Sequence, residues 1–153
     1  MSALTPLQLK RALVEAGFEV FRTRGDEIVL AERVRENLIM DSGVRVRASA
    51  PMEVRVVLRA QRTDYPSDDE TLLFSRVREL GAHAMHAGFA ELSTAVAPVH
   101  DPVDETRTLD TFYEVVFTKS VASIEVAFEV TRFALSLEKM ASPRRKTIPP
   151  EGR

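Results

Sequence analysis

Met52-Glu53-Val54-Arg55-Val56-Val57-Leu58-Arg59-Ala60-Gln61 alternates in polarity with a period of two, broken only by Val57. Successive side chains of a strand point to opposite faces. Val54, Val56, Leu58 and Ala60 therefore share one face, and Glu53, Arg55, Val57, Arg59 and Gln61 share the other. One buried face and one charged face is the pattern of an antiparallel sheet covered on a single side.

Upstream of this strand the same period recurs. Phe18-Glu19-Val20-Phe21-Arg22 and Glu27-Ile28-Val29-Leu30 flank Arg24-Gly25-Asp26, which reads as a hairpin turn. Asp41-Ser42-Gly43 reads as a second turn, between Leu38-Ile39-Met40 and Val44-Arg45-Val46-Arg47, and Ala50-Pro51 as a third break. Residues 31–37 fit either a strand or a short helix. Before the first strand, Thr5 and Gln8 form a capping box, Pro6 occupies the first turn and Gly17 supplies a stop, which predicts a helix over 6–16.

Downstream, residues 64–69 form a polar linker. Ser67 and Glu70 predict a second capping box and a helix to about residue 87, with Leu73, Val77, Leu80, Ala84 and Ala87 as its buried stripe. Residues 92–99 and 110–118 read as strands, the latter with Tyr113, Val115 and Phe117 on one face, and 100–110 as an acidic loop. A third helix runs from Ser120 or Ser123 to about Met140. The predicted class is α+β: an antiparallel sheet in the order helix, strands, helix, two strands, helix. Residues 1–140 are expected to form one domain, and 141–153, with three prolines and Arg144-Arg145-Lys146, a disordered basic tail.

Composition narrows the function. The absence of cysteine excludes disulfides, thiolate metal sites and cysteine nucleophiles. No signal-peptide pattern and no apolar run of membrane-spanning length is visible, so the cytoplasm is the expected location and no membrane partner is expected. The net charge is −2, distributed as +3 over 1–63, −7 over 64–110 and +2 over 111–153. A nucleic-acid partner is therefore possible but less expected than a protein partner.

The candidate chemistry is thin. His83 and His86 stand three apart on the polar side of the second helix, and read as solvated histidines rather than metal ligands. Asp101, Asp104, Glu105 and Asp110 do not match a calcium loop. Neither a glycine-rich phosphate loop nor a nucleophile elbow occurs. No catalytic residue, metal or cofactor is assigned. Arg45, Arg47, Arg55 and Arg59 lie on the outer sheet face and form a possible anion-binding patch.

The third helix departs most from a surface element. At about 100° per residue, Glu125, Glu129, Arg132 and Ser136 form one narrow polar strip. Val121, Ile124, Phe128 and Leu135 lie on one side of it, and Val126, Val130, Phe133, Leu137 and Met140 on the other. Such a wide apolar arc calls for burial against the first helix or against a second chain. The flank of Val126, Val130, Phe133, Leu137 and Met140 is taken as the partner-binding surface, in a homodimer or with another protein.

The order of elements, with the opening Leu13-Val14-Glu15-Ala16-Gly17-Phe18-Glu19-Val20, resembles the YbjN-like family and the type III secretion chaperones of the Tir type. The matching stretches are 6–17, 18–61, 67–87, 92–118 and 120–140. The resemblance implies a non-catalytic, often dimeric, chaperone-like scaffold that holds a partner segment, with no catalytic residues to carry over. Residues 18–62 read as richer in strands than that family, and the charge is more nearly neutral. The reading is thus of a non-enzymatic protein-binding adaptor, with nucleic-acid binding through the arginine face or a small-molecule-binding domain as alternatives.

Overall fold

The first helix, α1 (Pro6–Glu15), starts and stops where its punctuation demands. The Thr5 hydroxyl accepts from the Gln8 amide at 3.1 Å, and Gln8 Oε1 accepts from the Thr5 amide at 2.9 Å. At the other end Gly17 takes φ +97°, and the Gly17 and Phe18 amides donate back to the Val14 and Leu13 carbonyls. The computed structural model describes residues 4–140, with the side chain of Val34 excepted. The expected tail, 141–153, lies outside the described residues.

Six strands follow the predicted antiparallel plan: β1 (Val20–Arg24), β2 (Glu27–Arg35), β3 (Leu38–Arg47), β4 (Met52–Gln61), β5 (Ala90–His100) and β6 (Thr108–Val121). Their order across the sheet is β1-β2-β3-β4-β6-β5. The remaining helices are α2 (Glu70–His86) and α3 (Ile124–Met140).

Two local expectations are corrected. Asp41-Ser42-Gly43 is not a turn but lies inside β3; the chain reverses at Glu36-Asn37, and residues 31–35 complete β2 as strand. The register slips there, from Val29↔Arg45 to Ala31↔Asp41. Gly43 accommodates the bulge at φ +87°. Asp41 Oδ1 accepts from the Gly43 amide and the buried Ser42 hydroxyl accepts from the Val44 amide, so side chains supply acceptors where the ladder is interrupted. The start of α2 is also shifted. Its cap is Asp69, whose carboxylate accepts from Thr71, while Ser67 closes a turn one step earlier by accepting from the Asp69 amide. A charged acceptor at the positive end of the helix dipole outcompetes a hydroxyl for that position.

The described residues divide into two compact units, 4–56 with 118–140, and 57–117. In the first, Val44 and Val46 pair with Val56 and Val54 and are fully buried with Ile28 and Leu30. α1 lies against β1 and β2, and α3 against β3. Leu9, Leu13, Ala127, Val130, Ala134 and Leu137 complete that core. In the second unit Leu58, Leu73, Val77, Ala84, Phe89, Val115 and Phe117 are buried. Gly81 lies under the Phe117 ring, and a Cβ there would fall 2.2 Å from its tip. That glycine is a packing requirement of α2.

Candidate functional site

The four arginines nominated by the sequence do lie on the outer strand face, but their charge is already matched. Arg45 forks onto Asp41, with both contacts at 2.8 Å, and approaches Glu27 at 3.9 Å. Arg47 reaches Asp26 at 2.9 Å and Glu53 at 3.9 Å. Arg55 donates through two nitrogens to Glu53, and the Thr118 hydroxyl donates to the same carboxylate oxygen. In the other unit Arg59 faces Glu114 at 3.5 Å and sits over the Phe112 ring. The Arg47 hydrogen bond holds the Asp26 carboxyl below its ordinary range, and Asp26 in turn raises Arg47. The Arg45 side chain is only 13% exposed. Within the first unit the acidic partners, Asp26, Asp41 and Glu53, are dispersed through the sequence and brought onto the arginines by strand pairing.

Helix α3 divides the nominated flank. Val130 and Leu137 are core residues, 8% and 2% exposed, so they are not available surface. Phe133 is half-buried, while Val126 and Met140 remain exposed. The inward side is centred on Ala127, Thr131 and Ala134, all fully buried. Reading the wheel from its large residues alone placed the core on one flank. The small residues between the flanks let the helix approach the strands closely, and both flanks lean inward. Phe128 packs on Phe18 at 5.9 Å, and the Arg132 guanidinium sits over the same ring at 5.3 Å.

His83 and His86 are exposed on α2, and His100 is exposed at the end of β5. Among the described residues no group of three or more His, Cys, Asp or Glu is placed to hold a metal. The acidic loop carboxylates act as turn formers: Asp101 accepts from Val103, and Asp104 from Thr106. Asp110 ties the end of β4 to β6 by accepting from Gln61, Thr63 and Thr111.

A cavity of about 480 Å³ opens beside the first turn of α3. Leu4, Pro51, Met52, Val121, Ala122 and Ile124 supply its apolar lining. Its polar groups are Ser49, Ser123 and Glu125. The Ser49 hydroxyl donates to the Pro51 carbonyl at 2.8 Å and keeps its lone pairs free to accept. The Ser123 hydroxyl accepts from the Val126 amide at 3.3 Å, capping α3, and keeps its own proton free to donate. Glu125 is the single ionisable side chain among the described lining residues. Apolar walls with a few directed polar groups are the usual composition of a small-molecule site. Sequence reasoning missed it because its three segments, around residues 4, 49–52 and 121–125, are far apart in the chain. Its traces were the Ala50-Pro51 break and the serine before α3.

No family model matches the sequence, and no solved structure matches the chain. Among curated proteins it is 30% identical over 145 residues to a thiazole synthase of Brucella anthropi, an alignment covering 90% of this chain and 52% of that protein. It is also 30% identical over 111 residues to a thiazole synthase of Ruegeria pomeroyi, covering 67% and 43% respectively. The chain spans about half the length of the curated relatives it matches. These relatives carry an enzyme's name, and they overturn the expectation of a non-catalytic, chaperone-like protein-binding adaptor. The absence of local catalytic motifs does not exclude a site, since one can be assembled from distant segments. No helix among the described residues is long and apolar enough to cross a membrane.

Proposed function

We propose that the chain belongs to the machinery of an enzymatic thiazole-forming reaction, and that the cavity beside α3 holds the ring or its immediate precursor. The reading rests on the match to a thiazole synthase along nine-tenths of the chain. The cavity's chemistry suits it. A thiazole is flat and largely apolar, with one ring nitrogen that accepts a hydrogen bond. Met52 and Ile124 offer apolar contact, and the unspent Ser123 proton offers a donor. Closing an aromatic five-membered ring moves protons, and Glu125 is the lining group able to carry one.

The test is a titration of the protein with a simple alkylthiazole, followed by amide NMR. Saturable shifts at residues 49, 50, 52 and 121–125 are expected. Ser123→Ala should weaken binding about tenfold, the equivalent of one lost hydrogen bond of about 1.4 kcal/mol. Shifts elsewhere, or an affinity indifferent to Ser123, would remove the cavity from the proposal.

A further inference from the structure

The two edges of the sheet are defended differently. β1 carries Arg22 and Arg24, charges of the kind that discourage edge-to-edge pairing. β5 carries Glu91 as its one acidic or basic residue other than His100, and both Glu91 oxygens are taken by Arg78 of α2 at 3.0 Å. The rest of β5 is small or apolar, and all of it except Ala97 is exposed. Leu92 is 49% exposed and Val96 46%.

The orientation of this edge follows from two observations. The Asp101 amide donates to the Arg107 carbonyl at the base of the β5–β6 hairpin, so by strand alternation the odd-numbered backbone groups of β5 point toward β6. Pro98, lacking an N–H, then falls on the outward parity, the place where an edge strand tolerates proline. Leu92, Thr94 and Val96 share that outward parity. Their side chains also share a face, opposite the one on which Glu91 meets α2.

We propose that β5 pairs antiparallel with β5 of a second copy of this chain, with Thr94 on the twofold axis. The strand is built symmetrically for it. It begins at Ala90 and loses its outward donor at Pro98, so the usable edge is centred on Thr94. In this register Thr94 faces Thr94 of the partner subunit, a favourable cross-strand pair. Leu92 lies beside Val96 of the partner subunit, twice by symmetry. Glu91, already neutralised, falls opposite Ala97 of the partner subunit, so no like charges meet. The three outward residues of each strand form about six N–H···O bonds. A foreign peptide finds no charge on this edge to select it, whereas a second copy finds a matching register.

The symmetry yields a charge-swap experiment. In sedimentation at high micromolar concentration, the wild type is expected near twice the 17.1 kDa chain mass. Thr94→Lys and Thr94→Glu each place like charges opposite each other on an exposed strand, and each should sediment as a monomer with an unchanged circular dichroism spectrum. Mixed in equal amounts, they should recover the dimer mass, because only a register centred on residue 94 sets lysine against glutamate. A monomeric wild type, a dimer that survives Thr94→Lys, or a mixture that stays monomeric each overturns the proposal. The thiazole titration reads a different unit of the chain and is unaffected by any of these outcomes.

Discussion

The arginine-bearing face of residues 26–55 and the cavity beside α3 belong to the same compact unit, yet they use polar groups in opposite ways. On the arginine face Arg45, Arg47 and Arg55 are matched by Asp41, Asp26 and Glu53. Its hydrogen-bonding capacity is spent on holding strands in register. In the cavity the Ser49 and Ser123 hydroxyls are each half-used, and Glu125 forms no ion pair among the described residues. A surface that looks functional by residue type is structural, and a set of unremarkable residues keeps chemistry in reserve. Density of charge is a poor guide to a site; unspent hydrogen-bonding capacity is a better one.

That contrast can be broken most forcefully at Arg45. Its substitution by Ala leaves Asp41 without its fork, and a loss of about 2 kcal/mol is expected, between the values for exposed and buried pairs. Chemical denaturation measures it. A change within about 0.5 kcal/mol, the range of ordinary surface substitutions, would return the arginines to the list of candidate ligand-binding groups.

Next comes Ser123, where stability and binding separate. Ser123→Ala removes a helix cap and should cost about 1 kcal/mol, besides weakening the alkylthiazole as described above. Ser123→Thr keeps a hydroxyl and should retain most of both. Equal loss in the two variants would mean that the cavity is sensitive to shape alone.

A pH titration sharpens the structural side. The folded-state pKa of Asp26 is depressed by Arg47. Its contribution to stability is therefore fully present above the ordinary carboxylate pKa of 3.8 and is lost as pH falls through the depressed value. Asp110 behaves alike: burial opposes its ionisation, but the hydrogen bonds from Gln61, Thr111 and Thr63 prevail and lower its pKa. Carboxyl NMR should show Asp26 returning to the ordinary range in Arg47→Gln while Asp110 stays low. Movement of both would contradict their separate causes.

The smallest expected effect is at Glu125. Glu125→Gln should change stability by less than about 0.5 kcal/mol, because no described residue depends on its charge. Any thiazole-forming activity reconstituted with this chain should nevertheless fall. Unchanged activity would leave Glu125 a solvated residue of the first helical turn.

What the chain declares locally was readable without coordinates. The capping box of α1, the alternation of β4 and the Tyr113, Val115 and Phe117 face each depend on residues a few positions apart, and each is realised. The α+β class followed from their order. Legibility failed where local signals competed or where small residues mattered. Asp41-Ser42-Gly43 carries the chemistry of a turn, but its side chains cap a bulge once β2 is paired alongside. Ala127, Ala134 and Gly81 gave no apolar signal, yet they decide which way α3 faces and how closely Phe117 can pack.

The sequence by itself determined the three helices, the β1–β2 hairpin and the alternation that buries one strand face, because those are set by covalent geometry and neighbouring side chains. Tertiary structure alone decided which carboxylate neutralises which arginine, where Val130 points, and that residues 4, 49–52 and 121–125 enclose one cavity. Those outcomes depend on distances between segments that only folding brings together, and electrostatic and packing energies are functions of those distances.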